Sequence, residues 1–262
     1  MAGHYGGAAM DLGLNGRRAL VTGGTKGIGR AIVETLAAEG AAVAFCARNA
    51  AEVEQAAAAL RGRGVAATGR ALDVSDLPAL RAWVPDAARE LGGLDIVVGN
   101  VSALALAREE AAWRAGFAVD IMGTVALVDA AMPYLEASDA ASITVIASVS
   151  GREVDFAAGP YGAFKAALIH YAQGLAFQLA PKGIRANSVS PGNTYFEGGV
   201  WQRIERDLPD FYAEALRLNP MGRMGRPEEM ARAVAFIASP AASFVTGTNL
   251  VVDGALTRGV QF

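Results

Sequence analysis

Three side chains in the middle of the chain are suited to proton transfer. Tyr161 and Lys165 are four residues apart in the apolar stretch GPYGAFKAALIHYAQ, so a helix there places both on one face. The chain has 20 arginines and only three lysines, which makes a lysine at this position informative. A free tyrosine loses its proton only near about pH 10, but a neighbouring ammonium favours the tyrosinate. A lysine can also reach a ribose hydroxyl and the phenol together, which the planar guanidinium of arginine does less easily.

Ser148 closes the β-rich run SITVIAS and precedes Tyr161 by thirteen residues. Its hydroxyl is placed to orient the oxygen of a substrate. A tyrosine and a lysine at this spacing mostly occur by chance, whereas serine, tyrosine and lysine at these two spacings form a much more specific pattern. The three residues therefore predict acid–base catalysis with a tyrosine as the proton carrier.

A glycine-rich segment near the N-terminus, ALVTGGTKGIGRAIVETL, has the pattern of a strand, a turn and a helix. Gly23, Gly27 and Gly29 allow the backbone to come close to a diphosphate, and the helix N-terminus supplies N–H groups and the positive end of its dipole. The spacing differs from the G-x-G-x-x-G fingerprint, and the alternative is a tight turn without a ligand. The glycine-rich turn follows the first strand of a chain in which strands and helices alternate, and this position favours dinucleotide binding.

The end of the second strand indicates which dinucleotide is bound. An acidic residue usually holds the ribose hydroxyls there, but this chain has Ala47 and Arg48 in the run FCARN. Arg48, with Lys26 from the glycine turn, suits a 2′-phosphate. The sequence thus favours NADP(H), with NAD(H) less expected; the alternative is that both are ordinary surface cations. Asp73 at the end of the third strand is either an adenine contact or a turn-starting residue.

The elements that must position these residues alternate along the chain. Seven β-rich runs are separated by stretches with helical spacing: RALVT, AAVAFC, AATGRALDV, LDIVVGN, SITVIAS, IRANSVS and TNLVVDG. This alternation predicts an α/β fold, a single doubly wound Rossmann-type domain with a parallel sheet of about seven strands and helices on both faces. We assign residues 14–262 to this domain and 1–13 to a disordered leader. Residues 193–220, rich in aromatics and following a strand end, are the predicted substrate lid, called the lid segment below.

Composition excludes several classes of function. Apolar residues make up 53% of the chain, charged residues 19%, and the net charge is −3, so no nucleic acid is expected as a partner. No apolar run reaches the roughly 20 residues of a membrane helix, so no membrane partner is expected. The single cysteine, Cys46, suits a reducing cytoplasm. The sequence contains no cluster of histidines and cysteines, so no metal site is predicted.

Taken together, these motifs resemble the classical short-chain dehydrogenase/reductase family, in the pattern of its 3-oxoacyl-[acyl-carrier-protein] reductase-like branch. The resemblance runs from about residue 14 to 256 and rests on TGGTKGIG, LDV, YGAFK, NSVSPG, PMGRMGRPEEMARAVAFIAS and VTGTNLVVDG. It implies hydride transfer between a nicotinamide and a carbonyl or secondary alcohol, with a homotetramer or homodimer as the usual assembly. Tyr161 would be the general acid/base, Lys165 the ribose-binding residue and Ser148 the donor to the substrate oxygen. Pro191 and Gly192 would lie beside the nicotinamide. The complete set of predicted cofactor contacts is Gly23, Thr25, Lys26, Gly27, Ile28, Gly29, Arg48, Asp73, Val74, Asn100, Tyr161, Lys165, Pro191, Gly192 and Thr194.

Three positions depart from the family pattern. Asn100 is kept in the run GNVS, but Ser102 replaces a glycine. The usual threonine after the Pro-Gly motif aligns with Phe196, and Thr194 is the substitute. The fourth catalytic position, usually asparagine, aligns with Asp120. Either the backbone carbonyl at this position does the work and an aspartate is tolerated, or the ionised carboxylate attracts Lys165 and opposes tyrosinate formation.

Other functions are weighed against this one. A serine hydrolase needs a histidine base, and neither His4 nor His170 is placed for it. A dinucleotide-binding sensor without turnover and an epimerase or dehydratase of the same family stay open. The expected substrate is a mid-sized, partly apolar ketone or alcohol. Five aromatic residues of the lid segment either line its pocket or pack the lid onto the body: Tyr195, Phe196, Trp201, Phe211 and Tyr212. Arg152 and Glu153 are candidate substrate contacts or ordinary surface charges.

Overall fold

The protein is built on a parallel sheet, as the alternating sequence pattern predicts. A computed structural model describes residues 10–259. The strands are β1 Arg18–Thr22, β2 Ala42–Ala47, β3 Ala67–Ala71, β4 Ile96–Gly99, β5 Ser142–Ile146, β6 Arg185–Pro191 and β7 Asn249–Val252. They pair in the order β3-β2-β1-β4-β5-β6-β7, and every pairing is parallel. The strand order reverses direction between β1 and β4, which is where ligands bind in sheets of this kind. The predicted fold class is confirmed.

Helices cover both faces of this sheet. They are α1 Gly27–Ala38, α2 Ala50–Arg61, α3 Leu77–Leu91, α4 Glu110–Gly116, α5 Gly123–Leu135, α6 Pro160–Leu179, α7 Val200–Asp207, α8 Pro209–Arg217 and α9 Pro227–Ala238. One hydrophobic core joins the sheet to α3, α5 and α6. A second core joins the other face to α1, α2 and α9. The sheet is therefore buried on both sides, and its carboxyl edge is left for function.

The helical stretch Glu110–Leu135 is an exception to the composition argument. It is long and apolar enough, by length and composition, to cross a membrane, which the run-length analysis did not find. In the fold it packs against α3 and α6 and carries the buried, charged Asp120. We interpret it as a core helix of the domain, because the buried Asp120 within it has a partner, Lys165, inside the fold.

The lid segment forms a small unit of its own beside the sheet. It contains α7 and α8, whose apolar side chains surround Trp201. Phe156, from the loop after β5, packs edge-on against Trp201 and Phe211 with ring centroids 5.5 Å apart in both pairs. These contacts hold the lid segment against the body of the domain.

The predicted leader lies mostly outside the described residues, because residues 1–9 are not among them. Of residues 10–13, Leu12 packs against the core on the α1 and α9 face. Its carbonyl accepts a hydrogen bond from the Ala241 N–H at 3.4 Å.

Arg185 ties the last strands to the end of α9. Its guanidinium is buried and donates to the carbonyls of Ile237, Ala238, Ser239 and Val245 at 2.8–3.1 Å. Burial lowers the pKa of this guanidinium. The carbonyls at a helix C-terminus have no intrahelical partners, and a cation there also complements the helix dipole. Arg185 therefore satisfies several buried acceptors at once.

Replacing Arg185 by lysine is expected to lower the free energy of unfolding by about 1.5 kcal/mol, because an ammonium cannot reach all of these carbonyls. Urea unfolding followed by circular dichroism measures this change. Arg232→Lys on the exposed face of α9 is the matched control and should stay within about 0.5 kcal/mol of the parent. Equal unfolding midpoints for the two variants would contradict this role.

Candidate active site

The glycine-rich turn lies between β1 and α1, at the carboxyl edge of the sheet. Gly23 and Gly27 have φ values of +75° and +52°, which side-chain-bearing residues rarely adopt. A methyl group on Gly29 would lie 2.0 Å from the carbonyl oxygen of Gly23. Asn100, at the end of β4, donates its side-chain amide to the Thr22 carbonyl at 2.9 Å and so braces the turn. These contacts explain why the turn requires glycines and leave the α1 N-terminus open.

A cleft of about 620 Å³ opens at this edge, where the strand order reverses. Most of the predicted site residues line it: Gly23, Thr25, Lys26, Ile28, Gly29, Arg48, Asp73, Val74, Asn100, Ser148, Tyr161, Lys165, Pro191, Gly192 and Thr194. Gly27 lines an adjoining shallow groove instead. Asp120 does not line the cleft; it is buried, and its carboxylate lies 3.2 Å from the Lys165 ammonium. Residues far apart in the sequence are thus brought to one cavity, and their chemical roles stay predictions.

Ser148 is held in place by the short turn that follows β5. The serine is buried, and its hydroxyl oxygen accepts a hydrogen bond from the Ser150 N–H at 3.2 Å. A methyl group on Gly151 would lie 2.6 Å from the backbone of Lys165. The turn therefore packs directly on α6, which fixes Ser148 relative to the tyrosine helix.

Tyr161 and Lys165 share one face of α6, as their spacing predicts. Lys165 is almost completely buried at 2% exposure, and its ammonium donates to the Ile146 carbonyl at 3.0 Å. The ammonium nitrogen lies 5.6 Å from the centroid of the Tyr161 ring. The buried cation is thus close enough to act on the phenol electrostatically.

Asp120 is the second buried charge of the site. Its carboxylate oxygen Oδ1 lies 3.2 Å from the Lys165 nitrogen, and Oδ2 accepts from the Ala103 N–H at 2.9 Å. Asp120 belongs to a π-helical turn, residues 117–122, between α4 and α5. The Asp120 backbone carbonyl accepts the Thr124 hydroxyl at 2.7 Å. Of the two readings of this position, the geometry favours the one in which the carboxylate itself meets the lysine.

The opposite end of the cleft carries both predicted phosphate-binding cations and an acid that the sequence analysis missed. Arg48 and Lys26 line this end together with Glu52, the third residue of α2. The Glu52 carboxylate lies 2.8 Å from the Lys26 ammonium. The spacing of Asn49 and Glu52 is that of a helix-capping pair and indicates where α2 begins, but it does not indicate the contact with Lys26, which belongs to another element.

Asp73 serves the turn after β3. Its carboxylate accepts from both the N–H and the hydroxyl of Ser75, at 2.9 Å and 2.7 Å. These two hydrogen bonds, the one from the hydroxyl foremost, lower the pKa of Asp73. The turn-starting reading is therefore realised in the structure, while Asp73 still lines the cleft for the predicted adenine contact.

The aromatic residues of the lid segment divide into two groups. Phe196 and Trp201 line the cleft, and a methyl group on Gly27 would lie 2.5 Å from the Phe196 ring. Tyr195, Phe211 and Tyr212 pack within the lid segment around Trp201 and do not line the cleft. Both expected roles of these aromatics thus occur, each in different residues.

The two charges after the catalytic strand have local partners. Arg152 donates to the Asn249 side-chain oxygen at 3.1 Å. Glu153 accepts from the backbone N–H groups of Arg258 and Gly259 at 3.1 Å and 3.3 Å. Neither side chain lines the cleft, which fits the surface-charge reading of these residues.

These residues fit an NADP(H) molecule. The glycine turn leaves no room for side chains, the α1 N-terminus presents N–H groups, and the Lys26 side chain makes no cap hydrogen bond to them. Two cations lie at the end of the cleft where the second strand closes, and no acidic residue ends β2 itself. The donor set therefore suits a dinucleotide with an extra phosphate.

Comparison with known proteins agrees with this geometry. A family model described as enoyl-(acyl carrier protein) reductase matches residues 23–257. Isoepoxydon dehydrogenase of Penicillium expansum is 41% identical over 259 residues, which cover 97% of this chain and 99% of that protein. The chain belongs to the short-chain dehydrogenase/reductase family. The resemblance drawn from the motifs is confirmed.

Two solved structures show the same architecture. An NADPH-bound short-chain oxidoreductase of Pseudomonas aeruginosa PAO1, described as containing an atypical catalytic center, superposes with a TM-score of 0.85 at 34% identity, covering 93% of this chain and 98% of that one. A 7α-hydroxysteroid dehydrogenase in complex with NADH and 7-oxo glycochenodeoxycholic acid gives a TM-score of 0.87 at 28% identity, covering 94% and 96%. Proteins that share this fold thus include one bound to NADPH and one bound to NADH.

Proposed function

We propose that the protein is an NADP(H)-dependent oxidoreductase that interconverts a ketone and a secondary alcohol. The observation that carries the proposal is a single cleft with Ser148, Tyr161 and Lys165 on its wall and with Arg48 and Lys26 at its far end. The first three residues supply acid–base chemistry, and the last two suit a 2′-phosphate. A small-molecule carbonyl or alcohol is the expected substrate.

The glycine turn, Arg48 and Lys26 would hold a nicotinamide dinucleotide, which would supply hydride chemistry to a carbonyl or alcohol carbon. Ser148 donates a hydrogen bond to the substrate oxygen and holds it near Tyr161. In the reduction direction Tyr161 gives its proton to that oxygen, and in the oxidation direction the tyrosinate removes it. The buried Lys165 ammonium stabilises the tyrosinate, and Asp120 compensates part of its charge.

The substrate side of the cleft supports an uncharged, partly apolar compound. The charged residues on the cleft wall are Lys26, Arg48, Glu52 and Asp73 at the β2 and β3 end, and Lys165. Leu104, Val200 and Trp201 line it from the loop after β4 and from the lid segment. An apolar wall with few polar groups is what recognises a mid-sized ketone. Since the Penicillium relative is an isoepoxydon dehydrogenase, isoepoxydon is the first compound to assay.

The test of the proposal is a separate titration with NADPH and NADH, followed by quenching of tryptophan fluorescence, because Trp201 lines the cleft. We expect NADPH to bind at least about tenfold more tightly than NADH. A preference for NADH would overturn the cofactor assignment but leave the hydride chemistry open. Binding without oxidation or reduction of any compound in a panel of ketones, secondary alcohols and isoepoxydon would favour the alternative of a dinucleotide sensor.

The assembly and location belong to the same proposal. Four large apolar side chains are exposed and suit contacts between copies, so we propose a homotetramer or homodimer: Trp113, Phe117, Phe177 and Phe244. Light scattering coupled to size exclusion gives the mass. A cytoplasmic location is proposed because the sequence has a single cysteine, Cys46, which suits a reducing compartment. No nucleic-acid, metal or membrane partner is proposed.

A further inference from the structure

We propose that Glu52 sets how strongly the cleft discriminates between NADP(H) and NAD(H). This inference rests on the proposed function, since it concerns the same cofactor cleft. Glu52 is a negative charge among the two cations that would read the 2′-phosphate, and it is in direct contact with one of them. Glu52 is not among the predicted site residues, which include the two cations at this end of the cleft.

The contacts of Glu52 show that the carboxylate is held in the cleft. One oxygen lies 2.8 Å from the Lys26 ammonium and accepts the Asn49 side-chain amide at 3.2 Å. The other accepts the Thr25 hydroxyl at 3.4 Å. Thr25 and Lys26 belong to the glycine turn, whereas Asn49 and Glu52 begin α2, so the carboxylate joins the two walls at this end of the cleft. Its position in the first turn of α2 is also electrostatically favourable.

This arrangement has opposite consequences for the two cofactors. A 2′-phosphate that Lys26 binds lies close to the Glu52 carboxylate, which is a second negative group and competes for the same ammonium. To bind a ribose that carries only hydroxyls, Lys26 can stay where it is, and Glu52 is an available acceptor for a hydroxyl. Glu52 therefore weakens NADP(H) binding and leaves NAD(H) binding unchanged or slightly stronger. Discrimination is a difference of two affinities, and this residue lowers the difference.

The size of the effect follows from the exposure of the pair. The Lys26 side chain is 66% exposed and that of Glu52 31%, so water and salt screen the interaction. We expect Glu52→Gln to lower the dissociation constant of NADPH about threefold at low ionic strength. The dissociation constant of NADH should stay the same or rise by no more than about twofold. Adenosine 2′,5′-bisphosphate, which lacks the nicotinamide half, should show the same gain as NADPH, because the effect is local to the adenosine end.

The matched control is Glu54→Gln, which removes the same charge from an exposed position two residues along α2, where the glutamate pairs with Arg61. Isothermal titration of wild type and both variants with NADPH, NADH and adenosine 2′,5′-bisphosphate gives the affinities, and thermal unfolding confirms that all three are folded. Tighter NADPH binding in Glu52→Gln, but not in Glu54→Gln, supports the proposal. The gain in affinity should shrink in about 0.5 M salt, because salt already screens charges over about 10 Å at roughly 0.1 M.

Two results overturn the proposal while the proposed function stands. One is equal NADPH affinity in Glu52→Gln and Glu54→Gln. The other is an equal gain for NADPH and NADH, which would show a general effect of net charge. If wild type and both variants bind neither dinucleotide, the proposed function fails, and the role of Glu52 fails with it.

Discussion

Replacing Tyr161 by phenylalanine is expected to lower kcat by a factor of about 10² to 10⁴, because the substitution removes the proton that the proposed mechanism transfers. The change deletes one oxygen and leaves the ring, which lies 5.6 Å from the Lys165 ammonium, in place. The dissociation constant of NADPH should change little, since the glycine turn and the cations at the far end of the cleft are untouched. Steady-state kinetics at saturating NADPH, with the best substrate from the panel, measure the loss.

Tyr171 provides the matched control for this substitution. It lies ten residues further along α6, packs against the core and does not line the cleft. Burial foremost, and the nearby Asp129, raise the pKa of Tyr171 to about 12, so this phenol keeps its proton at any pH used for the assay. Tyr171→Phe should retain kcat within about threefold of the parent. A Tyr161→Phe enzyme with more than a tenth of the parental kcat would remove the phenol from the mechanism.

Much of the fold could be predicted from the sequence because strands buried on both faces leave a strong signal. Runs such as ALVT and DIVV are continuous and β-rich, and the intervening Ala-rich stretches have helical spacing, so all seven strands were located to within a few residues. The boundaries were less certain at β3, where the run 66–74 contains a strand of only Ala67–Ala71. This edge strand is half exposed, and its polar residues give no sharp end.

The site could be predicted where the residue type alone limits the chemistry. No residue with a side chain fits at the position of Gly29. A lysine on the buried face of α6 requires a hydrogen-bonding or charged partner. The position of Glu52 was missed because an acid near a helix start usually serves the helix, and only the three-dimensional turn brings Lys26 to it. The sequence does not decide the role of Asp120 for a similar reason. Its direct approach to Lys165 depends on the π-helical turn, which hydrophobic periodicity does not reveal.

Replacing Asp120 by asparagine is expected to shift the pH–rate profile to lower pH. The carboxylate lies 3.2 Å from the Lys165 ammonium and offsets part of the positive charge that favours the tyrosinate. Without it, the tyrosinate forms at lower pH. Reduction needs the protonated phenol. The rate of reduction should therefore begin to fall at a lower pH in the variant than in the parent. Oxidation needs the tyrosinate, and its rate should rise at lower pH.

The asparagine variant is suited to this test because it keeps an oxygen for the Ala103 N–H and has nearly the same volume. Asp129→Asn, an exposed aspartate on α5 that lies 3.9 Å from Arg81, is the control and should reproduce the parental profile. Both directions of the reaction should be measured, because a change in the proton carrier moves both profiles together. Profiles that coincide with the parent would mean that only the backbone at this position matters. A shift of the profile to higher pH would contradict the expected direction. It would mean that the Asp120 carboxylate is needed to keep the buried lysine charged, because removing one member of a buried pair leaves the other without compensation.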